Sequence, residues 1–171
     1  MRRIYKRSGL WGLGLLMTSA LAQADDQVIE AAVVQAETGI EVSVVYDAEA
    51  PLTGLGLMFH YDSSRLSFQE IKDVLQTGLM STEITPQADA EDTDGDPKTD
   101  KVILVAWADL IGSQWPASMD EETVLYRVDF DAVPAADRGD TTIRFTASST
   151  AAGHELKAEP VAIHLDQGDE E

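Results

Sequence analysis

A two-residue rhythm constrains this chain more than any other feature. In 40–46, Ile40, Val42, Val44 and Tyr46 fall on one side and Glu41 and Ser43 on the other. In 55–61, Leu55, Leu57, Phe59 and Tyr61 alternate with Gly56, Met58 and His60. In 124–130, Val124, Tyr126, Val128 and Phe130 alternate with Leu125, Arg127 and Asp129. Residues two apart share a face only in an extended chain, so these runs read as strands with one buried face. Residues 101–108 (KVILVAWA) are apolar on both sides and read as a central strand. Residues 28–35, 141–147 and 160–165 complete the set, bounded by turn formers such as Glu37, Thr38 and Gly39. Short alternating strands with almost no helical pattern predict an all-β antiparallel sandwich. Only 67–79 reads as a helix or an irregular turn, and no internal repeat is visible.

The N-terminus follows a different rule. Residues 1–8 are basic, 9–22 are uncharged and largely apolar, and Ala20, Ala22 and Ala24 provide small-x-small cleavage sites. That is the pattern of an export signal. Fourteen helical residues reach about 21 Å, short of a ~30 Å hydrocarbon core. Residues 1–24 are therefore expected to be cleaved, leaving a domain over 25–166, an acidic tail at 167–171 and no further membrane span. The expected location is the periplasm or the exterior.

Cleavage changes the charge. The whole chain has 12 Lys+Arg against 31 Asp+Glu, a net of −19. The signal holds Arg2, Arg3, Lys6 and Arg7 and no acid, so 8 bases face 31 acids beyond it, a net of −23. Such a surface repels phosphate and excludes nucleic acid as an expected partner. There is no cysteine, hence no disulfide, thiolate metal site or cysteine nucleophile.

The order of the strands resembles a known family. GLGLMFHYDSSRLSF at 54–68 is similar to the third strand of cohesin domains, which reads small-apolar-x-Phe-x-x-Tyr-Asp-x-x-x-Leu. KVILVAWAD at 101–109 resembles the sixth strand with its terminal Asp, and VLYRVDFDAV at 124–133 the Leu-x-x-Ile-x-Phe-x-Val strand. PVAI at 160–163 fits the last strand, so the resemblance runs over 28–165. It implies a jelly-roll β-sandwich of about nine strands that binds dockerin modules of secreted polysaccharide-degrading enzymes through one sheet face. The strands resembling that face are 55–61, 81–85, 101–108 and 124–130. Their outward positions would present Met58, His60, Leu125 and Arg127 to a partner. Two stretches depart from the family pattern: 120–123 (DEET) stands where a Gly is usual, and 88–100 is longer and more acidic.

Two further features are candidate sites. The loop 89–100 (DAEDTDGDPKTD) spaces acids around a glycine, the way loops gather oxygen ligands for Ca²⁺. It reads either as a solvated acidic turn or as a calcium site with Asp92, Asp94, Asp96 and Asp100 as ligands. Trp115, in GSQWP at 112–116, would stack on a sugar or anchor a protein partner if exposed. Catalysis has no motif behind it: Gly-x-Ser-x-Gly, His-Glu-x-x-His and a phosphate loop are all missing. The sequence thus leads to a non-catalytic exported recognition module with a dockerin-like or other extracellular protein partner. A direct carbohydrate-binding module and a structural subunit of the periplasm or surface are the alternatives.

Overall fold

A computed structural model describes residues 25–36, 39–47, 54–75, 79–83, 85–109, 123–134, 139–150 and 153–165. The expected export signal at 1–24, the tail at 167–171 and Trp115 lie outside the described residues. The strands are β1 (Asp25–Ala36), β2 (Gly39–Asp47), β3 (Gly54–Tyr61), β4 (Leu66–Lys72), β5 (Leu79–Glu83), β6 (Gln87–Ala88), β7 (Lys101–Asp109), β8 (Thr123–Ala132), β9 (Gly139–Thr150), β10 (His154–Ala158) and β11 (Val161–Leu165). No helix occurs among the described residues. They form two sheets, ordered β10-β1-β2-β8-β4 and β11-β9-β3-β7-β5, with β6 also pairing with β7. All pairs are antiparallel except β1 with β10.

The two-residue rhythm builds the interior. Val42, Val44, Tyr126, Val128 and Phe130 point inward from the first sheet, and Leu55, Leu57, Phe59, Ile103, Val105 and Ile143 from the second. Their aromatic rings meet across the gap. Phe59 stacks on Phe130 at 5.8 Å between centroids and meets Phe145 edge-on at 5.3 Å. Fully burying one such side chain contributes roughly 1.5–3 kcal/mol, which is why this alternation dominates the fold.

Three strands carry bulges, and two of them, β4 and β8, change the rhythm read from the sequence. The stretch read as a helix or turn begins as β4, followed by irregular chain at 73–75. Its register against β8 shifts between Phe68 and Glu70. The shift spaces Leu66, Phe68 and Ile71 by two and then three, which mimics a helical period. In β8 the register against β2 shifts where Val44 and Val45 face Tyr126 and Val124, so Leu125 is the extra residue. Leu125 and Tyr126 are both fully buried. The expectation that Leu125 faces outward is thereby overturned.

Candidate functional site: two outer faces and the loop over one of them

The outer face of the β1 sheet is a lattice of charges. Lys72 on β4 lies 2.8 Å from Glu41 on β2 and 2.7 Å from Asp129 on β8. Arg127 on β8 pairs with Glu41 at 3.4 Å and with Asp73, and its Nε donates to Ser43 Oγ at 3.1 Å. Hydrogen bonds to Asp129 and then Glu41 hold the Lys72 ammonium above the ordinary lysine range. Each long side chain here is occupied by its neighbours across the strands.

The outer face of the β3 sheet is built differently. Met58 on β3 stands opposite Leu104 on β7 and Thr146 on β9. Val102, Leu104, Ala106 and Ala108 are partly exposed on the outward side of β7, while Ile103, Val105 and Trp107 fill the interior. Gly56 keeps this face low: a Cβ there would lie 2.3 Å from Ser148 Oγ and 2.7 Å from Ser149 Oγ, beside the bulge between β3 and β9. The outward positions of β3 and β7 carry no carboxylate, lysine or arginine.

One end of that face is covered. The acidic loop 89–100 is closed at its base by Asp89 N–H donating to the Asp100 carbonyl at 2.9 Å. Most of its acids fold the loop itself. The Asp94 carboxylate accepts from Asp96 N–H at 3.2 Å and from the Thr99 hydroxyl at 2.6 Å. Asp96 accepts from Lys98 N–H at 3.1 Å and pairs with Arg144 on β9 at 3.4 Å. Asp100 accepts from the Ser63 N–H and hydroxyl, both at 2.8 Å. Gly95 takes φ +74° at the tip, a conformation that favours glycine. The four acids expected to gather around calcium are thus dispersed. Asp92 is exposed, and Asp94, Asp96 and Asp100 face three different sets of partners.

The convergent group is another one. His60 lies at 0% exposure. Its Nδ1 is 3.0 Å from Asp89 Oδ2 and its Nε2 is 2.7 Å from Thr146 Oγ1. A carboxylate only accepts, so in this bond Nδ1 carries the proton; in the neutral ring Nε2 then accepts from the threonine. Thr93 donates to Asp89 from its N–H and its hydroxyl. One ligand atom from each of His60, Asp89 and Asp94 lies within 4.8 Å of the other two. His60 is therefore a buried anchor for the loop and not an outward contact. Sequence reasoning missed Asp89 because its partner is 29 residues away on another element.

The four expected face residues also separate. β8 belongs to the β1 sheet, so Arg127 lies on the opposite side of the sandwich from Met58. Of the strands assigned to one face, 55–61, 81–85 and 101–108 correspond to β3, β5 and β7, and β9 takes the place given to 124–130. Met58 is the one member of the expected set left on that face in partial contact with solvent.

No family model matches the sequence, and no curated protein matches it. Solved structures do. The seventh ScaB type I cohesin of Pseudobacteroides cellulosolvens is 11% identical, with a TM-score of 0.54 over 85% of this chain and 95% of that one. The OlpA cohesin of Clostridium thermocellum, solved as a type I cohesin–dockerin complex, is 15% identical, with a TM-score of 0.53 over 80% of this chain and 98% of that one. A non-cellulosomal cohesin of the archaeon Archaeoglobus fulgidus is 12% identical, with a TM-score of 0.52 over 85% and 93%. The chain has a cohesin-like fold.

Proposed function

We propose that this chain is a non-catalytic, exported recognition module that docks a dockerin-like or other extracellular protein on the outer face of the β3 sheet. The observation that carries the reading is the span of the fold match: nearly the whole of each cohesin module is covered, and several of the neighbours were solved with dockerins bound. Met58 and Leu104 form the partly exposed apolar centre of the proposed face. Methionine adapts to a partner's shape, and apolar groups surrounded by polar ones suit an interface centre. The opposite face has its charges already paired side to side. No helix among the described residues is long and apolar enough to cross a membrane. A role in polysaccharide use follows from this reading alone.

A non-catalytic role is supported by the burial of a triad-like chain among the described residues. Asp89, His60 and Thr146 have the connectivity of an acid–base–nucleophile array. Yet the imidazole is fully shielded beneath the loop, where no substrate reaches it. The test is calorimetric titration of the purified chain with a panel of purified dockerin modules. Binding to at least one, at a dissociation constant of about 1 μM or tighter, is the expected result. Absence of binding across the panel would remove the dockerin reading.

A further inference from the structure

We propose that His60, Asp89 and Asp94 form a site for one divalent transition-metal ion, zinc being the best fit, which fastens the acidic loop to β3. This rests on the geometry beneath the loop and not on the docking reading. The donor set is one imidazole nitrogen and two carboxylate oxygens. Zinc takes that mixture in a tetrahedron with water as fourth ligand, whereas calcium needs six or more oxygens. At zinc bond lengths of about 2.0–2.1 Å, tetrahedral ligands stand about 3.3 Å apart. The His60–Asp89 pair, at 3.0 Å, is already close to that spacing, and the Asp94 oxygen lies within 4.8 Å. On binding, the ring proton would move from Nδ1 to Nε2, which then donates to Thr146 Oγ1, and the ion would sit between Nδ1 and Asp89.

The surroundings are those of a metal site. A ligating histidine usually hydrogen-bonds through its other nitrogen, and His60 Nε2 is held at 2.7 Å by Thr146. The ligating carboxylates are oriented too, Asp89 by Thr93 and Asp94 by the Thr99 hydroxyl. Charge supplies an independent argument. The Asp89 side chain is only 4% exposed, and among the described residues no lysine or arginine pairs with it. A carboxylate so buried, facing only an imidazole and neutral donors, is short of a cation.

The experiment is titration of the purified, chelator-treated chain with zinc chloride by calorimetry, repeated with cobalt to read its visible absorption. One equivalent should bind, the melting temperature should rise, and cobalt should show tetrahedral bands. Calcium at the same concentration should give neither the heat nor the rise. Asp94→Asn should weaken zinc at least tenfold, while Asp92→Asn, which removes an equal charge from the same loop, should change it by less than about twofold. Equal losses in the two variants would mean that zinc merely condenses on an acidic surface, and would overturn the proposal. So would calcium matching zinc. If Asp94→Asn does not fold, the cobalt spectrum of the unaltered chain decides: no tetrahedral band means no site.

Discussion

The two outer faces of the sandwich solve the same problem in opposite ways. Each covers a sheet whose inner side is apolar. On the β1 sheet, Glu41, Ser43, Lys72, Asp73, Arg127 and Asp129 interlock across three strands and the end of β4. On the β3 sheet, the middle is methionine, leucine and alanine, and the polar groups collect at one end under a loop. The first face is complete in itself. The second leaves apolar surface at its centre and a buried carboxylate at its margin. A chain this acidic has a reason to keep charge off the middle of one face: a partner can approach there without first removing water from carboxylates.

That contrast can be broken in several ways. The largest effect should come from the buried end of the β3 face. His60→Ala strands the Asp89 carboxylate without its imidazole and should cost about 3 kcal/mol, measured by denaturant unfolding. Arg127→Met on the other face should cost less than about 1 kcal/mol. Equal costs would mean that the loop is not anchored through His60.

The next effect concerns binding. Leu104→Asp should weaken any protein partner by about thirtyfold, the size of a central hot spot. Arg127→Glu should alter the affinity by less than about threefold. The pair of titrations sharpens the assignment of the docking face, since both residues have similar partial exposure.

Alkali should loosen both the charged face and the interior. The Lys72 pKa is raised in the fold, so its contribution is present below the ordinary lysine pKa of about 10.4 and is lost as pH rises beyond it. Burial, and then the Asp100 charge, push the Tyr61 phenol from 10.0 up to about 12. Its neutral form is the one the fold favours, so stability should also fall between those two values. Unfolding midpoints measured from pH 8 upward should stay level to about pH 10 and then decline. Lys72→Arg, which keeps its charge, should remove the lysine part of that decline and leave the tyrosine part, to which Tyr46 and Tyr126, also raised by burial, contribute beside Tyr61.

The smallest effect should be that of salt. The lattice of the β1 sheet is only partly buried, so raising ionic strength should weaken it slightly while relieving the repulsion of the whole acidic chain. A small net stabilisation by sodium chloride is expected. A large loss would show that the lattice contributes more than its exposure suggests.

Much of the fold was legible because alternation reports burial directly. Ile40 through Tyr46 and Leu55 through Tyr61 sit as their sequence predicts, and the cohesin resemblance found the right architecture. The errors have physical causes. Periodicity says which residues share a side, but not which sheet a strand joins, so it does not separate β8 from β3 and β7, which lie in the other sheet. A bulge shifts the rhythm by one residue, which hid Leu125 in the core and disguised β4. His60 looked outward correctly, yet a loop that begins 29 residues later lies over it. Nothing local in the sequence announces such a cover. The edge strand β10 was missed because its inward residues are short or only half-buried, which leaves a weak pattern.

The docking face is tested most directly by hydroxyl-radical footprinting of the chain with and without a bound protein partner. Methionine oxidises readily and Met58 lies on the proposed face. Complex formation should slow oxidation of Met58 and Leu104 severalfold and leave Val34, exposed on the outer face of the β1 sheet opposite Glu41, unchanged. Protection of Val34 with Met58 still oxidised at its free rate would place the partner on the other sheet and contradict the proposed docking face.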